Sequence, residues 1–336
     1  MDDESVYEKN LGGELLAAVS RSFYLTLKAL PKQLREPISL AYLLARTADT
    51  IADTAQVAPD VRLGCLTQFG SLIHDRAECS PEFGTVLIQD FQPLQTDPSE
   101  AKLMQRLPDA LKWLSTMNGH RLQAIQGVLH HIIEGQKADI MRFPAKGHLR
   151  SLETSEELEA YTWQVAGCVG EFWTDLCFSE LEGAFESSSD AARMKELGAR
   201  YGKGLQLVNI LRDIGKDAAL GRCYLPKAEW SVLGFTEDDI ARSPALLRPI
   251  WESWATRATE LLGSGVEYAA RLAHSRLRYA TALPAILGVR TLQSLKRATD
   301  SELVSGVKIG RMDVAKLLMQ VSLNNSAAGI RKLAAS

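Results

Sequence analysis

Tyr42, Arg46, Asp49 and Asp53 follow one another at spacings of four, three and four in the stretch YLLARTADTIAD. At 3.6 residues per turn, such spacings put a phenol, a guanidinium and two carboxylates on one face of a helix. A second set, Gln206, Asn209, Asp213 and Asp217, repeats at three, four and four in GKGLQLVNILRDIGKD. The positions beside it (Leu205, Val208, Ile210, Leu211) are apolar, so both helices are expected to be packed over much of their circumference. Carboxylates in such surroundings are costly unless they are paired or bound to metal. Two facing helices with two carboxylates each suit a hard divalent cation. Mg²⁺ takes oxygen ligands, keeps several waters and bridges to substrate phosphates. Basic groups stand close by: Arg46 precedes Asp49 by one turn, Arg212 precedes Asp213, and GRCYLP brings Arg222 and Tyr224 shortly after. Arg21 lies between Ser20 and Ser22 in SRSF. Together with metal, these would neutralise a diphosphate.

Other chemistries lack their residues. A di-iron bundle needs a Glu-x-x-His pair, and HHIIE at 130–134 has the reverse order, which predicts exposed or capping histidines. There is no P-loop and no strand-flanked GxGxxG. GCVG at 167–170 sits in an apolar helical run, where its small residues predict close helix packing. The five cysteines, Cys65, Cys79, Cys168, Cys177 and Cys223, form no CxxC pair and have no histidine at zinc spacing, as expected of reduced thiols in a cytoplasmic-type protein. A net charge of −3 gives no basic excess for nucleic acid. The acidic start MDDESVYEKN is not a secretory signal, and no 18-residue apolar window predicts a membrane span.

The elements that must position these residues are helices throughout, because the apolar period is 3.6 nearly everywhere. Helical runs are predicted over 11–30, 36–55, 61–76, 101–135, 155–183, 189–219, 249–275, 277–297 and 312–333. Pro31 and Pro37 punctuate the first two, and a short helix is possible within 79–99. Thr154 followed by Glu157 predicts a capping box at the start of the 155–183 run. The stretch 221–244 reads as a loop. The expectation is an all-α protein forming a single domain over 1–336.

SRSF at 20–23, YLLARTADTIAD at 42–53, YTWQVAGCVG at 161–170 and GKGLQLVNILRDIGKDAALGRCYLP at 202–226 stand in the order and spacing of the squalene/phytoene synthase family. The chain resembles that family over roughly residues 15 to 320. Asp49-Thr50, where phytoene synthases usually carry a double Asp, and GVKIGRMDVAKLL at 306–318 are most similar to squalene synthases, without the C-terminal membrane anchor that eukaryotic members carry. Thr162 and Thr54 depart from the family pattern.

The resemblance implies a class I isoprenoid synthase helical bundle with a central cavity that takes two molecules of farnesyl diphosphate. Asp49 and Asp53 would hold Mg²⁺ on the donor diphosphate, and Asp213 and Asp217 would hold it from the facing helix. Ser20, Arg21, Ser22, Phe23, Tyr42, Arg46, Gln206, Asn209, Arg212, Arg222 and Tyr224 would bind substrate, with Asp139 near them. Tyr161 would assist the proton loss that closes presqualene diphosphate. NADPH would then deliver hydride to give squalene, with Lys308 and Arg311 meeting its phosphates. The same resemblance leaves a dehydrosqualene or phytoene synthase, which needs no reductant, as the alternative. A terpene cyclase and a catalytically silent helical assembly factor are the more distant ones. A cytoplasmic protein with peripheral membrane contact for product release is implied.

Overall fold

The structure is a computed structural model, and it describes residues 10–20, 23–76, 79–143, 148–307 and 309–335. Helices dominate as the periodicity predicts, and the β-structure among the described residues is two short strands and one isolated bridge. Backbone packing groups the chain into two compact units, residues 1–141 with 175–182, and residues 142–174 with 183–336.

The first unit contains α1 (Leu16–Ser20), α2 (Phe23–Ala29), α3 (Lys32–Asp53), α4 (Pro59–Asp75), α5 (Pro81–Val86), α6 (Pro98–Gln105), α7 (Leu107–Thr116) and α8 (Gly119–Arg142). The predicted run 36–55 begins earlier than expected. Pro31 takes the N-cap of α3, and Pro37 lies inside the helix rather than before it. So near the helix start, its missing N–H costs a single backbone bond. Leu34, Leu40, Leu43, Leu44, Ala48 and Ile51 of α3 are fully buried, and α4, α6 and α7 pack around them. Each such leucine contributes about 1.5–3 kcal/mol of apolar burial. Glu36 fixes the start of α3 to its neighbours: it accepts from Trp113 Nε1 at 3.0 Å and lies 3.6 Å from Arg121. The run 101–135 is three helices. A break follows Gln105, and Gly119 (φ +52°) opens α8 in a left-handed conformation that suits glycine.

The second unit begins with β1 (Arg150–Ser151) and α9 (Ser155–Thr162), continues through α10 (Cys168–Glu180), whose last turns belong to the first unit, and reaches α11 (Ala191–Arg212). Thr154 caps α9 by accepting from the Glu157 amide at 3.3 Å, and Glu157 in turn accepts from the Glu153 amide at 2.8 Å. The predicted cap is therefore present, with its return bond shifted by one residue. A π turn at Trp163–Gly167 separates α9 from α10. The small residues beyond it do pack closely. A Cβ on Gly170 would fall 1.9 Å from the Gly198 carbonyl oxygen, and one on Gly202 would fall 2.1 Å from that of Ala166.

After α11 come α12 (Ile214–Ala219), β2 (Arg222–Cys223), α13 (Lys227–Trp230), α14 (Glu237–Arg242), α15 (Arg248–Ala270), α16 (Ser275–Arg297), α17 (Asp300–Ser305), α18 (Arg311–Leu323) and α19 (Ala327–Ala335). The core of this unit is α11 on α15 and α15 on α16. β2 pairs in parallel with β1, Arg150 opposite Arg222 and Ser151 opposite Cys223. Besides the π turn inside the predicted run 155–183 and a break at Asp213 inside 189–219, three further expectations change. The predicted loop 221–244 holds two short helices, the run 312–333 breaks at Asn324, and α17 is an additional helix with a capping box between Thr299 and Glu302.

All five cysteines are free: Cys65, Cys168, Cys177 and Cys223 are buried, and Cys79 is half-buried. Among the described residues, no helix is long and apolar enough to cross a membrane.

Candidate active site

In the first unit, Tyr42, Arg46, Asp49 and Asp53 emerge along one side of α3, as their spacing predicts. Asp49 is recessed, with 36% of its side chain still reachable by water. Its Oδ1 accepts a 2.5 Å hydrogen bond from Gln136 Nε2 on α8. Its Oδ2 lies 3.9 Å from Arg46 Nη1. The Arg46 guanidinium is engaged elsewhere, donating from Nη2 to Glu100 of α6. Its Nε is buried with no hydrogen-bond partner among the described residues.

Burial, and then the charge of Asp53 one turn away, push the Asp49 carboxyl up to about 7 against the opposing pull of Arg46 and Gln136. Burial works against the charge on Arg46, but Glu100 and Asp49 together hold it above its ordinary value. Asp53 itself is exposed. Tyr42 donates to the Val19 carbonyl at 3.3 Å and stacks on Phe23, centroids 5.4 Å apart. Ser20 is buried, and its hydroxyl bonds back to the Leu16 carbonyl. Asp139, also buried, lies one turn beyond Gln136 on α8. Arg21 and Ser22 lie outside the described residues.

In the second unit, the other acidic face is kinked. Asp213 ends α11 at φ −99°, ψ 14°, and a new helix starts at Ile214. The i to i−4 bonding nevertheless runs through the kink. The Asp213 amide donates to Asn209 at 2.9 Å, and the Asp217 amide donates to Asp213 at 2.8 Å. The spacing of the face therefore survives the break. Just before it, the Leu211 carbonyl accepts from Trp251 Nε1 at 2.9 Å, tying this end of α11 to α15.

Arg212 grips Asp213 with two bonds, Nε to Oδ1 at 3.0 Å and Nη2 to Oδ2 at 2.6 Å. Asn209 donates to Gln206 at 3.4 Å. Asp217, Arg222 and Tyr224 line one small cavity with Ile210 and Ile214. Tyr161 stacks on Tyr224 with centroids 5.0 Å apart and planes 22° apart, and Phe143 meets Tyr224 edge-on at 5.3 Å. Lys308 and the Arg311 side chain lie outside the described residues.

His130 and His131 meet edge-on at 5.5 Å, one exposed and one half-buried, and take part in no metal cluster. Among the described residues, no three acidic, histidine or cysteine side chains converge as a closed metal site. Mg²⁺ does not require one, since it commonly binds through one or two carboxylates plus water and substrate phosphate. The donor set of the α3 face, two hard carboxylates one turn apart beside a buried guanidinium N–H lacking an acceptor, fits a cation–diphosphate pair. The sequence reading missed Gln136 and Glu100. For Gln136 the available signal was its position one turn before Asp139, just beyond the predicted run 101–135, which the structure extends to Arg142.

The chain matches the squalene/phytoene synthase family profile over residues 16–313. It is 25% identical over 323 residues to a squalene synthase of Schizosaccharomyces pombe, covering 93% of this chain and 65% of that one. It is 30% identical over 229 residues to a bifunctional lycopene cyclase/phytoene synthase of Phaeosphaeria nodorum, covering 67% of this chain and 35% of that one. The chain thus spans between about a third and two thirds of the length of these curated relatives. A solved complex of TcSQS with the ligand BPH1237 superposes with a TM-score of 0.74 at 22% identity, covering 95% of this chain and 88% of that one. The fold is therefore the isoprenoid synthase helical bundle that the sequence predicts. The motif order, the two acidic faces and the profile agree, and the chain belongs to the squalene/phytoene synthase family.

Proposed function

We propose that the chain is a squalene synthase: it joins two farnesyl diphosphates head to head through presqualene diphosphate and, with NADPH, yields squalene. The observation that carries the reading is the α3 face, where Asp49 is recessed beside a like charge and next to a guanidinium N–H without an acceptor among the described residues. A divalent cation relieves the repulsion between Asp49 and Asp53, and a diphosphate oxygen satisfies Arg46 Nε.

In this reading Asp49 and Asp53 would hold Mg²⁺ in the first unit, and Asp213 and Asp217 would hold it in the second. When bound, Mg²⁺ neutralises the departing diphosphate. In the first unit Arg46 would add fixed positive charge where negative charge grows, and Tyr42 and Phe23 would orient substrate; in the second, Arg212 and Arg222 would add charge, and Gln206 and Asn209 would orient substrate. The allylic cation left by ionisation is attacked by the double bond of the second farnesyl chain. Loss of one proton then closes the cyclopropane. The stacked faces of Tyr161 and Tyr224 suit a passing carbocation. The Tyr161 hydroxyl guides the proton toward diphosphate oxygen, because a neutral phenol is a weak base on its own. Departure of the remaining diphosphate and rearrangement of the ring would give the final cation, and NADPH would supply the hydride that quenches it, with Lys308 and Arg311 as its proposed phosphate contacts.

Squalene is favoured over a dehydrogenated product by the Asp49-Thr50 pair, by the 306–318 block and by the match to the S. pombe squalene synthase, which covers 93% of this chain. The similarity to a phytoene synthase supports the second reading, condensation without reduction. The deciding experiment supplies farnesyl diphosphate, Mg²⁺ and NADPH deuterated at the transferred position. Squalene carrying one deuterium is expected. A dehydrogenated C30 product, unlabelled and unchanged by NADPH, overturns the reductive half. Condensation of geranylgeranyl diphosphate in preference to farnesyl diphosphate overturns the substrate.

A further inference from the structure

Asp49 has two neighbours that could set its orientation, and they differ in kind. Arg46 is charged, yet its nearest nitrogen stays 3.9 Å away because the guanidinium is held by Glu100. Gln136 is neutral and donates to Oδ1 at 2.5 Å. The cation next to Gln136 along α8, Lys137, is taken up by Glu134 at 2.8 Å. Among the described residues, the group within hydrogen-bond reach of the carboxylate is therefore an amide, with Arg46 and Lys137 drawn off to other acids.

That arrangement has a chemical consequence. A lysine or arginine at hydrogen-bond distance would compete with a metal ion for the same carboxylate. An amide fixes the rotation of the carboxylate but leaves its charge intact. It also occupies one lone-pair direction of Oδ1 and leaves Oδ2 on the side of Arg46. Partners that orient a ligand in this way tune metal affinity without touching the metal.

We propose that Gln136 is a positioning residue for the α3 face: its amide presets the Asp49 carboxylate for a divalent cation while leaving that carboxylate charged. The proposal rests on the reading of Asp49 and Asp53 as a cation–diphosphate site, and the experiment separates the two claims. Mn²⁺ binding is followed by electron paramagnetic resonance in the presence of inorganic diphosphate, for the full chain and for Gln136→Met and Asp53→Asn. Methionine keeps the length and volume of glutamine and removes the amide.

Gln136→Met is expected to weaken Mn²⁺ binding about 10- to 100-fold, the usual range for losing such a partner, with the melting temperature close to that of the parent. Turnover of farnesyl diphosphate should fall at limiting Mg²⁺ and recover as Mg²⁺ is raised, with KM for farnesyl diphosphate at saturating Mg²⁺ little changed. If Asp53→Asn loses Mn²⁺ while Gln136→Met binds it like the parent, the role of Gln136 is overturned and the site stands. If Asp53→Asn also binds Mn²⁺ like the parent, the site itself is overturned, and the proposal falls with it. A lowered melting temperature with unchanged Mn²⁺ affinity would mark Gln136 as structural only. Should Gln136→Met be too unstable to purify, Gln136→Asn, which withdraws the amide by one methylene, is measured in the same way with the same expected direction.

Discussion

Asp49 joins the fold to the chemistry. Its folded-state carboxyl is pushed up to about 7, far above the ordinary value near 3.8. Between those two values the folded protein binds more protons than the unfolded chain, so stability falls as pH rises through this window. In the metal-free protein Asp49 should therefore contribute a loss of stability between pH 4 and pH 7, roughly the span between the two carboxyl values, against the opposite slope of carboxyls held low by their partners, such as Glu159 and Glu267. Asp49→Asn should remove that part of the slope, and added Mg²⁺ should offset it. Thermal melts of both proteins across pH check this. The same substitution should lower turnover by about 10²-fold or more with the helical signal intact, since a charge-stabilising group of this kind contributes at least that much. Near-parental activity of Asp49→Asn at limiting Mg²⁺ would remove the α3 face from the mechanism. Tyr161→Phe loses one oxygen and keeps its stack on Tyr224. It should depress kcat more than KM, and equal losses would make the hydroxyl structural. At this scale the aspartates, Arg46, Arg212 and Tyr161 are legible because they sit in local motifs. Gln136 and Glu100 are not, because each meets its partner across 87 and 54 positions of chain, and no period links them.

Helices are legible from the apolar period, but their interruptions are not. The π turn at Trp163–Gly167 and the kink at Asp213 leave the hydrophobic pattern unbroken. Trp163 Nε1 donates to Glu171 across the turn at 2.7 Å, and Trp251 holds the Leu211 carbonyl before the kink. The close approach of α10 to α11 has the opposite character: GCVG announced it, and the structure supplies the partner, Gly198. Gly170→Ala would set a methyl 1.9 Å from a backbone oxygen that cannot rotate away. It should destabilise by about 3 kcal/mol, at the upper end of overpacking costs. Chemical denaturation measures this, and a change below about 1 kcal/mol would mean that the two helices slide apart freely. Gly263 is a suitable control, because nothing lies near its missing Cβ.

At the scale of the molecule, family membership is visible in the sequence because four motifs keep their order over some two hundred residues. The division into two compact units is not, since no linker or change of composition marks it. Each unit carries one acidic face, Asp49 with Asp53 in the first and Asp213 with Asp217 in the second. The two faces should therefore be separable in a titration. Asp53→Asn and Asp217→Asn are each expected to remove part of the Mn²⁺ bound at saturation in the presence of diphosphate, and the double variant nearly all of it. Full retention of metal by either single variant would assign that face another task.

The buried thiols give the two units independent reporters. Cys65 and Cys177 lie in the first unit and Cys168 and Cys223 in the second. Burial pushes the Cys65 and Cys223 thiols up to about 11 and that of Cys168 up to about 12. A thiol that is both covered and protonated reacts with an alkylating reagent only when its surroundings open. Half-buried Cys79 should be modified first. The order in which the other four follow, read by mass spectrometry after brief pulses of reagent, then times the local opening of each unit separately, with no label introduced and no residue changed.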